Sequence, residues 1–115
     1  MTMATVDVAG GDTHLELAIS GEIDMANADT VQKQLLAAIT NQPTAVSLDL
    51  SGLTFLDSAG LRILFALADR LEILQIDLDV IVRADSIPRR AMELAGFRPL
   101  RTTGSEPAGQ PPAPG

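Results

Sequence analysis

Leu48-Asp49-Leu50-Ser51-Gly52-Leu53-Thr54-Phe55-Leu56-Asp57-Ser58-Ala59-Gly60-Leu61 changes period halfway along. Its first residues continue the alternation of Ala45-Val46-Ser47 and place Val46, Leu48 and Leu50 on one face of a short strand, Ala45 to Leu50, whose other face is small and polar. Ser51-Gly52 reads as the end of that strand. Beyond it, Leu61, Leu64, Phe65, Ala68 and Leu71 recur at spacings of three and four, which marks an amphipathic helix. Asp57 and Ser58 stand at the start of this helix, where such residues commonly serve as caps. Unpaired backbone N–H groups at a helix start favour an anion, so a phosphate on Ser58 would be accommodated there, although Asp57 beside it would repel the new charge. Gly60 has no side chain and is expected to leave the first turn open to another molecule.

Upstream, Val6 and Val8, then Leu15, Leu17 and Ile19, alternate around Gly10-Gly11, which predicts a β-hairpin. Ala28, Val31, Leu35, Ala38 and Ile39 predict a helix from about Met25 to Thr40, with Asp24 and Asn27 as candidate caps and Pro43 after its end. Downstream, Ile76 to Val82 alternates as a strand with Asp77 and Asp79 on its polar face. Ser86 and Pro88 then open a third helix that turns Ala91, Leu94 and Ala95 inward and ends at Gly96, with Phe97 and Leu100 folding back onto the core. The order β-β-α-β-α-β-α gives an α/β fold, a small mixed sheet with helices packed against it. One domain over 1–101 is expected. The remainder, 102–115, holds four of the seven prolines and three of the nine glycines, and reads as a disordered tail.

Composition narrows the function. The 115 residues contain no cysteine, which excludes disulfides, thiolate metal sites and thiol nucleophiles. The net charge of −7 argues against nucleic acid as a partner. That charge is uneven: residues 1–82 carry 3 basic and 12 acidic side chains, residues 83–115 carry 5 and 3. No apolar run approaches a membrane span, and the first residues lack the pattern of a signal peptide, so a cytoplasmic location is expected. A serine hydrolase is excluded because Leu56 stands where G-x-S-x-G needs its first glycine and His14 is the sole histidine. His14 itself reads as solvated on the polar side of its strand, and Arg89 and Arg90 as solvated helix residues. No catalytic residue and no cofactor is expected.

Asp57-Ser58-Ala59-Gly60, between an apolar strand and an apolar helix, resembles the D-S-x-G phosphorylation motif of STAS-domain anti-sigma-factor antagonists. Gly21-Glu22-Ile23-Asp24 resembles the G-E-[hydrophobic]-D turn of the same family, and Leu94-Ala95-Gly96-Phe97 its closing L-x-G-[hydrophobic] segment. The likeness covers residues 4 to 101. It implies a non-enzymatic switch: the unphosphorylated protein binds an anti-sigma factor that is also a serine kinase, a sigma factor is released, phosphorylation of Ser58 ends the contact and a phosphatase restores it. The implied partner surface comprises Asp24, Met25, Asp57, Ser58, Ala59 and Gly60. Glu72-Ile73-Leu74-Gln75-Ile76-Asp77 lacks the basic, glycine-rich turn of many members, which bears on partner identity. Two other functions fit a STAS domain: an accessory subunit of a membrane transporter complex, and a nucleotide or small-ligand sensor. The sensor lacks support from any G-x-x-x-x-G-K-[ST] loop.

Overall fold

Alternating residues at the start of the chain form β1 (Ala4–Gly10) and β2 (His14–Ile23), paired antiparallel from Ala4↔Gly21 to Gly10↔Leu15. The structure, a computed structural model, describes residues 3–40, 42–97 and 100–103. After β2 come α1 (Ala28–Ala38), β3 (Ala45–Leu56), α2 (Ser58–Ile73), β4 (Asp77–Arg83), α3 (Ile87–Leu94) and β5 (Leu100–Thr103). The strands lie side by side in chain order, with β2 through β5 parallel and β1 antiparallel at one edge. The expected mixed α/β sheet is present. Right-handed crossovers that all step in one direction put their helices on one face.

That face holds the core. Leu17 and Ile19 of β2, Val46, Leu48 and Leu50 of β3 and Val80 and Val82 of β4 meet Val31 and Leu35 of α1, and Leu64, Leu67 and Leu71 of α2. Each such side chain contributes about 1.5–3 kcal/mol by leaving water. Phe65 and Phe97 close the α3 end, ring centroids 5.0 Å apart. The opposite face carries Asp7, Glu16, Ala18, Ser47 and Asp49, none of them buried. Parallel strands are usually apolar on both faces; here one face is polar, and the strands therefore alternate.

Several expectations are corrected. β3 does not stop at Ser51-Gly52 but continues to Leu56, because irregularities in its pairing with β2, between Ala18 and Ser20 and between Gly21 and Glu22, absorb the mismatch. α1 begins at Ala28 rather than near Met25, since residues 24–27 are taken up by a turn. α2 buries Ile63 and Leu67 in addition to the expected Leu64 and Leu71, while Leu61, Phe65 and Ala68 are half-buried. In α3 the buried pair is Pro88 and Met92, four residues apart; Leu94 is 83% exposed and Ala95 is exposed, so neither points inward. A fifth strand, β5, extends the sheet to Thr103, past the expected domain end at 101, because the short Leu100–Thr103 segment adds to β4 in parallel. Of the expected tail, residues 104–115 lie outside the described residues, as do the side-chain surroundings of Leu100. Among the described residues no helix is long and apolar enough to cross a membrane.

Candidate functional site

Parallel pairing of β2 with β3 sets Ile23 beside Leu56, so the turns leaving the two strands emerge side by side. A backbone bond joins them: Asp57 N–H donates to the Ile23 carbonyl at 3.2 Å. The first turn is locked by Asn27. Its Oδ1 accepts from Asp24 N–H at 3.0 Å, and its Nδ2 donates to the Glu22 carbonyl at 2.9 Å. Asp24 Oδ1 accepts from Ala26 N–H at 2.8 Å, the geometry of an Asx turn. Asn27 is thus the clasp of this turn and makes no side-chain cap on α1, although it stands at the cap position. Met25 sits at the tip, 82% exposed.

The second turn is fixed by Asp57. Its carboxylate accepts from Ala59 N–H at 2.8 Å and Gly60 N–H at 3.1 Å, capping α2 and complementing the positive end of the helix dipole. Ser58 is the first residue of the helix and is exposed. This changes the chemistry expected there. The Ala59 and Gly60 N–H groups that a phosphate on Ser58 would use are already engaged by Asp57, so a phosphate there would stand beside a carboxylate without that backbone cradle.

Gly60 also has a different role from the expected one. It is buried, and a side chain at this position would run into Leu56 Cδ1 and come within 3.1 Å of Ile23 Cγ2. Glycine here lets α2 pack down on the ends of β2 and β3. Ala59 is buried as well. Ala59 and Gly60 therefore support the surface from beneath, while Asp24, Met25, Asp57 and Ser58 form it. Asp57→Ala should lower stability by about 1 kcal/mol by leaving two amides uncapped, and Asp57→Asn should recover most of the loss. Urea denaturation of the two variants checks this.

The long β3 adds residues that the sequence reading did not single out. Met3, just before β1, and Phe55 of β3 flank Glu22 of β2, since Glu22 N–H donates to the Met3 carbonyl at 2.8 Å and Glu22 pairs with Phe55. Met3 is 69% and Phe55 41% exposed. The signal for Phe55 was an apolar residue on the polar face of β3, visible only once the strand is known to reach Leu56. Thr54 Oγ1 donates to the Gly21 carbonyl at 3.0 Å and ties the two strands just below.

His14 and the arginines stand apart. His14 Nε2 lies 3.0 Å from Ser47 Oγ at the far end of the sheet. Arg89 is held by Ala84 and Glu93 on α3. Among the described residues no cluster of His, Asp and Glu could hold a metal ion.

Known proteins share this fold. The family model described as "STAS domain" matches residues 5–106. The anti-sigma-F factor antagonist RsfB of Mycobacterium tuberculosis is 35% identical over 93 residues, 81% of this chain and 75% of that protein. The crystal structure of an anti-sigma factor antagonist from Mycobacterium paratuberculosis superimposes with a TM-score of 0.79 at 33% identity, covering 88% of this chain and 87% of the other. The Bacillus cell fate determinant SpoIIAA, solved in its phosphorylated form, shares the fold at 15% identity, with a TM-score of 0.67 over 87% of this chain and 92% of the other.

Proposed function

Since the chain belongs to the STAS domain family and, within it, to the anti-sigma-factor antagonists, we propose that its Ser58 surface is the switch of a partner-exchange cycle. In the unphosphorylated state the protein binds an anti-sigma factor with serine kinase activity and frees a sigma factor for transcription. Phosphorylation of Ser58 by that kinase ends binding, and a phosphatase restores it. The protein acts in the cytoplasm as a regulatory binding protein rather than an enzyme.

The observation that carries this reading is the position of Ser58. Its residue is exposed at the first position of α2, whose cap is supplied by another residue, so Ser58 is not needed to hold the helix. Beside it lie the Asp24–Met25 turn and Asp57, locked in place by bonds of their own. A hydroxyl without a structural task, on an ordered acidic surface with an exposed apolar tip, suits a modification that alters binding and spares the fold. Capture of a native partner by the unphosphorylated chain tests the cycle. Mass spectrometry should find a small ATPase-like kinase; recovery of a transporter subunit instead would overturn it.

The two turn residues should separate in effect. Met25→Ala removes a side chain that touches water, so stability should hold while affinity for the kinase falls about tenfold. Asp24→Ala breaks the Asx turn, costing about 1 kcal/mol of stability, and should weaken binding by more than that. Denaturation and calorimetry on one preparation of each variant give both quantities; unchanged affinity in both variants would leave these residues structural.

A further inference from the structure

β1 is an edge strand whose outward side is laid out for a second copy of itself. Glu22 N–H donates to the Met3 carbonyl and Gly11 N–H to the His14 carbonyl, and in an antiparallel ladder such bonds recur at every second residue. The odd-numbered residues of β1 therefore direct their N–H and C=O groups at β2. Ala4, Val6 and Val8 direct theirs away from the sheet, where among the described residues no strand receives them.

Edges of this kind are normally blunted by proline, lysine, a bulge or shortness. The opposite edge, β5, has four residues. β1 has seven, with no proline or lysine and an unbroken register along β2.

We propose that two copies of the chain pair antiparallel through β1, about a two-fold axis at Val6, and join their sheets into one. In this register Val6 exchanges both backbone bonds with the second copy's Val6, and Ala4 does the same with the second copy's Val8. All the outward groups of the strand's centre are used. The apolar row matches too. Ala4 and Val6 are half-buried and pack on the core, while Val8 is 55% exposed and gains the second copy's Ala4 as a cross-strand neighbour. Charge selects this axis over the one at Asp7, and an axis at Thr5 leaves Val8 opposite no residue of the strand. An axis at Asp7 would set the two Asp7 carboxylates directly opposite, whereas the Val6 axis sets each against a Thr5. An axis at Val8 leaves Ala4 without a mate. The strand is short beside interfaces of roughly 1,200–2,000 Å2, so the pairing is reversible and concentration-dependent. The antiparallel join sends the two Ser58 surfaces to opposite ends of the sheet, and neither blocks the other.

The absence of cysteine makes the register testable in the full chain. Thr5 and the second copy's Asp7 form a directly opposed pair without mutual backbone bonds, with Cα atoms about 4.5–5.5 Å apart, inside the disulfide range. Under mild oxidation, a mixture of Thr5→Cys and Asp7→Cys chains should yield about tenfold more covalent dimer than either alone, since like positions lie two residues out of step. Equal or greater cross-linking of Asp7→Cys alone would overturn the Val6 axis, and the absence of covalent dimer from every sample would overturn the pairing. Sedimentation supplies the second arm. Val8→Pro removes an outward N–H, leaves the β1–β2 bonds intact and should raise the dimer dissociation constant about tenfold or more with an unchanged circular dichroism spectrum. Val8→Lys should act likewise if the proline variant folds poorly. Self-association of both folded variants equal to that of the parent chain, or a parent chain that stays monomeric at its highest attainable concentration, would refute the proposal.

Discussion

Phosphorylation of Ser58 should weaken binding of the kinase partner by about a hundredfold or more, with little change in the fold. The geometry of the α2 start accounts for both halves of this expectation. Asp57 already occupies the Ala59 and Gly60 amides, so the phosphate gains no backbone cradle and stays on the surface. It adds about −1.5 to −2 charge to a turn that carries Asp57 and stands beside Asp24. Against water this is well tolerated, because the positive helix end offsets part of the repulsion. Against a partner that must desolvate the same surface it is not. Ser58→Ala should bind as the unmodified chain does and resist the kinase; Ser58→Asp should bind more weakly than Ser58→Ala but less weakly than the phosphoprotein, since one carboxylate carries less charge. Calorimetric titration of the four forms, with the modified peptide located by mass spectrometry, decides the matter. A phosphate on Ser51 or Thr54, or equal affinity of the phosphorylated and unmodified chains, would sink the switch.

Gly21→Ala should have the largest effect on stability, a loss of about 3 kcal/mol or more. Gly21 opens the Gly-Glu-Ile-Asp run at φ +98°, a conformation that L residues avoid, and a methyl group there would strike the Met3 carbonyl of β1. Relief requires β1 to move away from β2 at this end. For a domain with about 5–15 kcal/mol of total stability the loss is large, and hydrogen exchange at Glu22, which bonds to Met3, should rise with it. A stability loss under 1 kcal/mol by urea denaturation would mean that the strand pair yields easily. The first residue of the motif is thus a requirement of the sheet, while its last, Asp24, shapes the turn that follows β2.

Among the described residues helices cover only one face of the sheet, and much of the fold was legible for that reason. β2, β3 and β4 run parallel yet alternate, so their inward rows could be read directly from Leu17, Leu48 and Val80 and their neighbours. The hairpin was legible from Gly10-Gly11 for the same reason. Legibility failed where tertiary contacts overrode local pattern. Ser51-Gly52 looks like a strand end, yet β2 continues beside it and pulls β3 on to Leu56. α3 is eight residues long and touches the sheet through Pro88 and Met92, so a full inward stripe through Leu94 and Ala95 had nothing to pack on. At the site, position between strand and helix marked Asp57 and Ser58 only as candidate caps, and the motif resemblance is what singled out Ser58. Which of the two caps the helix, and that Gly60 serves packing, depended on distances that spacing does not encode.

The clasp of Asn27 across its turn, together with the bond from Asp57 to Ile23, has a kinetic consequence. Both loops are held by bonds of their own before any partner arrives, so the proposed encounter should require no loop folding and no wait for a rare conformer. Association should then proceed in one step, at a rate set by collision and long-range charge. The lifetime of the complex, rather than the speed of its formation, is where a change at Ser58 should be felt. Stopped-flow traces with a single exponential whose rate rises linearly with partner concentration, without a plateau, are the expected signature.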